Sequence, residues 1–343
     1  MPSTLSHSKY KVNLTAYPYQ GNPINLTPCA ESVQWQTSRN LGFPGSIEVT
    51  LQKRMDDEKI VIPPGSRLRF GVNGTDLFFG LIEEPELTKE GSGIKTNIIR
   101  AVDHLKLLDG VENAYRTEGM TGSDFFLYLG NKFAERFAVA GASFSVREPS
   151  NAPLDDYYFL TQTLYSMITD TMTASHVAEA PDSLYMLRDN LGVIEWRELK
   201  ALRLPIILGD ESFISSYNYK QSLSQTYNVI KAIRDNEEIG MRDVWIVEDS
   251  STHGKWWFRQ LTWEANENLT EAEIMEINHL KLRAHNRITR HLRGTGIGDF
   301  RIQAGTGVQL RLDRANIDAC HWCEQVTHTL TAERHKMELE FYV

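Results

Sequence analysis

Cysteine is scarce. The chain of 343 residues holds three, Cys29, Cys320 and Cys323. An odd, sparse count argues against a disulfide framework and suits a reducing compartment. Long apolar runs are missing too. The longest, such as PIILG from Pro205, fall far short of the roughly 18 residues that a membrane span needs. The opening MPSTLSHSKYKVNL has no apolar core behind a basic start, so no secretory leader is expected. Positive charge is in deficit: 36 Lys and Arg stand against 45 Asp and Glu, a formal net charge of −9. That balance argues against a nucleic-acid binder, which needs a basic face. The metalloprotease HExxH, the hydrolase GxSxG and the phosphate-binding P-loop patterns do not occur.

What is present is an ordinary globular composition, with 41% apolar and 24% charged residues, long enough for two or three domains. The first hundred residues alternate apolar and polar, the period of half-buried strands. KVNLTAY from Lys11 and SIEVTLQ from Ser46 are such stretches. RLRFGVNGTDLFFGLIEE from Arg67 reads as two strands joined at Asn73-Gly74, a strong hairpin signal. KTNIIRAVDHLKLL from Lys95 reads as a strand running into a short helix.

The middle of the chain changes period. TGSDFFLYLGNKFAERF from Thr121 predicts a helix with N-cap oxygens at its start. PLDDYYFLTQTLYSMITDTM from Pro153 predicts a second helix, with Tyr158, Leu160, Leu164, Met167 and Ile168 on one side. SLYMLRDNLGVIEWRE from Ser183 predicts a hairpin turning between Asp189 and Gly192. Strand patterns return in VIKAIRDN from Val229, DVWIVEDSSTHGKWWFRQLTWE from Asp243 and FRIQAGTGVQLRL from Phe300. A long helix over 270–292 interrupts them, capped by Thr270, with Glu271 and Glu273 first and Lys281, Arg283, Arg287, Arg290 and Arg293 last, in the sense that complements the helix dipole.

Several features resemble chemistry. CHWCEQVTHTLTAERH from Cys320 could supply four zinc ligands, Cys320, Cys323, His328 and His335. The inserts between ligands are too short for a zinc finger, however, and strand parity gives another account. His328 and His335 fall on facing strands of one hairpin around TAER. Val326, His328 and Leu330 point one way, His335, Met337, Leu339 and Phe341 share the apolar side of the second strand, and Lys336, Glu338 and Glu340 point outward. Cys320 and Cys323 would then face opposite sides. RGTGIGD from Arg293 is glycine-rich but follows a helix and precedes a strand, the reverse of a phosphate cradle; Gly294 reads as a helix stop, with Gly296 and Gly298 turning the chain. The acidic pairs of MDDEK from Met55 and LDDYY from Leu154 sit in a loop and at a helix start, where acids are expected without catalysis. Trp256, Trp257, Phe258 and Trp263, read as one strand, could form a sugar platform or serve as core and interface aromatics. His279, His285 and His291 lie in the basic half of the long helix, which reads as solvated or partner-facing. No catalytic, cofactor or metal residue is assigned on these patterns.

The order of these stretches carries a resemblance. VQWQTSRNLGFPGSIEVTL from Val33, GSRLRFGVNGTDLFFGLIEEPE from Gly65, IIRAVDHLKLL from Ile98, and GTGIGDFRIQAGTGVQLRL from Gly294 followed by CEQVTHTLTAERHKMELEF resemble the baseplate hub proteins of phage tails, of the XkdQ/YqbQ type. That type is found in PBSX-like prophages and contractile bacteriocins and is related to the late control D hubs. The resemblance spans nearly the whole chain and rests on order and spacing. It implies an α+β structural protein: two β-rich, tail-tube-like barrel domains, with an α/β insert between them and a long helix in the second. The expected limits are 1–111, 112–200 and 201–343. Three chains would form a ring adapting a sixfold tail tube to a threefold spike. The implied partners are a second and third copy, the tail tube protein, the spike, the tape measure protein and baseplate wedge proteins. DNA would be passing cargo, which an acidic lumen would not hold. No membrane partner, no cofactor and no metal are implied, and the location is the baseplate of a virion or phage-like particle assembled in a bacterial cytoplasm. The competing expectation is a tail-associated enzyme, cell-wall-degrading or metal-dependent, for which the insert offers Asp155, Asp156, His176, Glu179 and Asp182 without a recognisable spacing.

Overall fold

A computed structural model describes residues 4–39, 44–52, 62–89, 95–112, 114–154, 158–159, 161–179, 183–210, 212–236, 241–265, 267 and 269–343. The chain is an α+β protein dominated by strand and forms two compact units, one of 1–217 with 293–341, the other of 218–292 with 342–343. No described helix is long and apolar enough to cross a membrane.

The first unit is organised by a 13-stranded sheet. Five strands from the first hundred residues, Ala30–Ser38, Ser46–Gln52, Lys95–Val102, Thr75–Lys89 and Arg67–Val72, follow one another across it, and Val12–Tyr17 and Ile24–Asn25 extend that end. Ala30–Ser38 pairs antiparallel on its other side with Ile317–Thr331, which pairs in turn with His335–Tyr342. The opening and closing stretches of the chain therefore share one sheet. Alternation explains which side of each strand is buried: Ile47, Val49 and Leu51 point into the same core as Val33, Trp35, Leu68 and Phe70. The hairpin expected at Asn73-Gly74 is present. Both residues have positive φ, 53° and 84°, the paired left-handed geometry of a two-residue turn, and the Asn73 side chain accepts from Lys11 N at 2.9 Å.

Within the same unit, helices Gly122–Lys132 and Leu164–Ala178 pack beside the short sheet Ser143–Val146, Val193–Glu198 and Tyr185–Asn190. Thr121 caps the first helix by accepting from Asp124 N at 3.2 Å. The helices come together where side chains are small: a Cβ on Gly122 would lie 2.2 Å from Ser175 Oγ. Phe125, Phe126, Met167, Ile168 and Trp196 fill the interior.

Four expectations are corrected. The second helix starts at Leu164 and not after Pro153, because Thr161 takes a left-handed backbone, Tyr158–Phe159 and Gln162–Thr163 are extended, and Thr163 supplies the cap to Ser166 N at 3.0 Å. The long helix covers Glu271–His285 and not 270–292. The basic residues that complement its dipole run on past its end, but β-branched Ile288 precedes and Thr289 opens a strand, Thr289–Ile297. Gly294 and Gly296 consequently lie within that strand and do not stop a helix. A Cβ on Gly296 would sit 1.9 Å from the Phe213 carbonyl oxygen, so glycine permits the close approach. Finally, the Trp-rich stretch is not one strand. Asp249 accepts from Ser251 N at 3.0 Å and starts a turn, a short helix His253–Trp256 follows, and only Gln260–Glu264 is extended.

In the second unit, Val229–Asn236 is the central strand, with Met241–Glu248 antiparallel on one side and Gln260–Glu264 parallel on the other. Helix Glu271–His285 begins with a full capping box between Thr270 and Glu273 and packs Ile274 on Ala232 and Ala265.

Candidate functional site

The titratable groups that sequence patterning singled out at Cys320–His335 lie on the strand pair Ile317–Thr331 and His335–Tyr342. His328 faces Met337 across the pair, and Val326, His328 and Leu330 are all buried, as are His335, Met337, Leu339 and Phe341. His328 Nε2 is 2.8 Å from the Ile302 carbonyl oxygen, and its Nδ1 is 3.0 Å from Nε2 of His335. A carbonyl only accepts, so His328 carries its proton on Nε2 and accepts at Nδ1 from the His335 Nε2–H. His335 Nδ1 is left as a buried lone pair without a hydrogen bond.

Aromatic rings enclose the pair. Phe300 stacks on His335 at 3.8 Å between centroids, Trp35 stacks on His328 at 5.2 Å, and Tyr10 meets His335 edge-on at 5.7 Å. Burial holds the His328 imidazole down at about 4; burial and then the neighbouring His328 hold His335 at about 3. Both rings are therefore neutral at pH 7. Cys323 is fully buried opposite Phe341, and burial pushes its thiol up, away from the thiolate that metal binding requires. Cys320 stands opposite Gln309 and is not buried. Among the described residues, no three His, Cys, Asp or Glu side chains converge as a metal site. The stretch is a hairpin whose histidines hydrogen-bond to each other inside a core.

A second polar cluster joins Asp103 and His104 to the turn at Asp189–Gly192. Asp103 accepts from Gly45 N at 2.8 Å and from Leu105 N at 3.0 Å. Asp189 accepts from the backbone N and from Nδ1 of His104, both at 2.8 Å, and from Gly192 N at 2.6 Å. Burial, and then the facing Asp189 carboxylate, push the Asp103 carboxyl well above its usual range. Arg188 donates to the Gln303 side chain and is held down to about 10 by burial, then by Arg197. The space between these groups is about 40 Å³, room for water and not for a substrate. The Asp-His step of IIRAVDHLKLL was visible in sequence, but its partner Asp189 lies in a hairpin turn where Asp is common for local reasons.

Of the residues weighed for hydrolysis, the two that the structure describes, His176 and Glu179, are each engaged locally. Glu179 accepts from Asn151 N at 2.5 Å, from Ala152 N at 3.1 Å and from the Tyr185 hydroxyl at 2.7 Å. Burial would raise its carboxyl, but these bonds lower it overall. His176 bonds the Ser183 carbonyl oxygen at 3.1 Å. Asp155, Asp156 and Asp182, like the acids from Met55 to Lys59, lie outside the described residues. Trp256 closes a helix, Trp257 and Phe258 project from the loop after it, and Trp263 packs under helix Glu271–His285, where its Nε1 donates to Asn278 Oδ1 at 2.7 Å. His279 and His285 belong to that helix, whereas His291 lies on the strand that follows it.

Comparison with solved structures shows a shared fold over nearly the whole length. The tail protein of Neisseria meningitidis MC58 matches with a TM-score of 0.69 at 14% identity, over 97% of this chain and 96% of that one. A 43 kDa tail protein of prophage MuSo2 from Shewanella oneidensis matches with a TM-score of 0.69 at 11% identity, over 96% and 98%. Prophage tail protein gp18 of Listeria monocytogenes EGD-e matches with a TM-score of 0.58 at 14% identity, over 96% and 94%. No curated protein sequence matches the chain. The family model described as YQBQ-like matches residues 33–342, and the chain belongs to that family.

Proposed function

We propose that the chain is the structural hub of a phage-like tail baseplate: three copies form a ring that adapts a sixfold tail tube to a threefold spike. The observation that carries this reading is the fold shared end to end with a tail protein, over 97% of this chain and 96% of the other. Membership of the YQBQ-like family agrees with it. The chemistry of the interior supports a structural and non-enzymatic role, since the buried histidines and carboxylates are engaged in holding strands and turns together.

In this reading the β-rich segments 1–111 and 201–343 act as two tube-like domains and 112–200 is an insert between them. Strand Arg203–Gly209 pairs on one side only, with Gly307–Leu312, among the described strands. Such an open edge is suited to completion by a neighbouring subunit. The partners are further copies of the chain, the tube, spike and tape measure proteins, and the surrounding baseplate proteins, in the tail of a virion or phage-like particle.

Native mass spectrometry of the purified chain, alone and with tube and spike proteins, tests the reading. A trimer without bound metal is the expected result. A chain that stays monomeric with both partners present overturns it. A lytic band on a cell-wall zymogram would transfer the chain to the enzyme reading.

A further inference from the structure

Three loops meet at one end of the second unit. The Thr226 hydroxyl donates to the Arg287 carbonyl at 2.7 Å, Arg259 Nε donates to the Thr226 carbonyl at 2.9 Å, and the Asn286 side-chain amide donates to Asp249 at 2.7 Å. Segments 223–228, 249–259 and 285–288 are therefore neighbours. Each leaves large apolar side chains in solvent: Leu223 from the first, Trp257 and Phe258 from the second, Ile288 from the third. Trp257 is 81% exposed and Phe258 61%. Rings so bare have no walls around them and do not line a pocket of this chain; a partner has to take them in.

The aromatic turn is set in advance. Trp257 has φ 63° and ψ −170°, a backbone region that is essentially reserved for glycine. Its carbonyl accepts from the side chain of buried Asn228 at 2.7 Å, and the same side chain accepts from Arg259 N at 2.9 Å. One interior amide thus fixes both ends of the turn. The rings are placed before any partner arrives, which lowers the ordering cost of contact.

Charge at this end is mixed, with base in excess. Lys255, Arg259, Arg283 and Arg287 stand with Glu248 and Asp249. The Asp249 carboxylate is taken up by Ser251 and Asn286. Over 218–292 as a whole, acids and bases nearly balance, so the base is concentrated where the rings emerge.

We infer that this end of the second unit is a peripheral membrane anchor: Trp257, Phe258, Leu223 and Ile288 enter the headgroup layer of an anionic bilayer, and Lys255 and the neighbouring arginines meet lipid phosphates. Tryptophan suits that boundary layer, and cations beside it gain from anionic lipid. A nucleic-acid strand needs rings spaced along a groove. A protein pocket would have to admit side chains from three loops at once, whereas a lipid surface takes any such set. The contact lies on the membrane and does not span it. It goes beyond the hub reading and does not depend on it.

Co-sedimentation of the full chain with vesicles tests this, comparing equimolar phosphatidylglycerol and phosphatidylcholine with phosphatidylcholine alone. The variants are Trp257→Gly, which relieves the backbone, and Phe258→Ser, with Val139→Ser at an exposed site of the first unit as the control. Unchanged far-ultraviolet circular dichroism confirms that each is folded. The expected result is binding to the mixed vesicles that weakens with added salt. It falls at least tenfold in both tip variants and is unchanged in Val139→Ser. No binding to the mixed vesicles overturns the inference. Equal binding to the neutral vesicles also overturns it, as does binding that both tip variants retain. If vesicles are not bound and the tip variants instead lose a gel shift with single-stranded DNA, or lose association with tube or spike protein, the occupant is nucleic acid or protein and the inference fails. The ring reading is decided separately, by the subunit count in native mass spectrometry.

Discussion

Nδ1 of His328 lies 3.0 Å from Nε2 of His335 across the last hairpin, and the pair ends on the Ile302 carbonyl. Both rings are held below the ordinary imidazole value by burial, His328 at about 4 and His335 at about 3. From about pH 3 to 6.5 the unfolded chain then binds more protons than the folded one. Stability from this pair is full above pH 6.5 and is lost as the pH falls toward 3. For His328, the fall from 6.5 to about 4 corresponds to about 3 kcal/mol. His335→Phe keeps the stack on Phe300 and removes one titrating ring. It is expected to cost about 1 kcal/mol at pH 7.5, by leaving His328 without its donor, and to lose that deficit at pH 4.5. Urea unfolding at the two pH values reads the gap; a gap that is equal at both rejects the account.

Asp189 is the acceptor for three donors, His104 N, His104 Nδ1 and Gly192 N. Its side chain and that of His104 are both nearly inaccessible. Removing the carboxylate leaves these buried donors without an acceptor. Asp189→Ala is expected to destabilise by about 1–3 kcal/mol, whereas Asp109→Ala, at the exposed Lys106 pair, should change stability by less than about 1 kcal/mol. Chemical denaturation of the two variants makes the comparison, and similar losses would contradict it.

Glu179 is a clasp and not a catalytic acid in this geometry. Its Oε1 takes two backbone N–H groups and its Oε2 takes the Tyr185 hydroxyl. Glu179→Gln keeps an acceptor for the backbone bonds and should leave stability within about 0.5 kcal/mol, while Glu179→Ala should cost about 1–3 kcal/mol because those donors lose their partner. The carboxyl is lowered in the folded chain, so its contribution is present above the ordinary glutamate value and fades as the pH falls through the folded one. Thermal melts at pH 7 and pH 4 test both statements.

Local features were legible in the sequence because local physics decides them. Asn73-Gly74 could only make a tight turn, and the parity of His328, His335, Met337 and Phe341 placed each on its buried side. Helix ends were less legible. The charges that suit a helix continue to Arg293, while Ile288 and Thr289 already prefer a strand, and the two signals overlap in sequence. Strand partners were least legible. Alternation says which face of Ala30–Ser38 is buried, but nothing in its nine residues says that Ile317–Thr331 lies beside it. For the same reason the histidines could be set facing each other, whereas Trp35 and Phe300, which enclose them, could not be seen to converge.

Two glycines separate steric from conformational effects. Gly298 does not have a positive φ, yet a Cβ there would lie 2.2 Å from the His335 ring, which is already stacked on Phe300 at 3.8 Å. The ring has nowhere to yield without disturbing its bond to His328. Gly298→Ala is therefore expected to destabilise by about 1–3 kcal/mol, the usual range for forcing a methyl into a packed interior. Gly254 lies in the short helix His253–Trp256, also without a positive φ, and a Cβ there meets nothing within 4 Å. Gly254→Ala should stabilise by about 0.4–1 kcal/mol through the unfolded chain alone. Urea midpoints of the two variants should move in opposite directions, and Gly298→Ala should also weaken the acid dependence that the histidine pair imposes, because a displaced His335 no longer titrates against His328. Two midpoints shifted the same way would show that the ring over Gly298 is free to move.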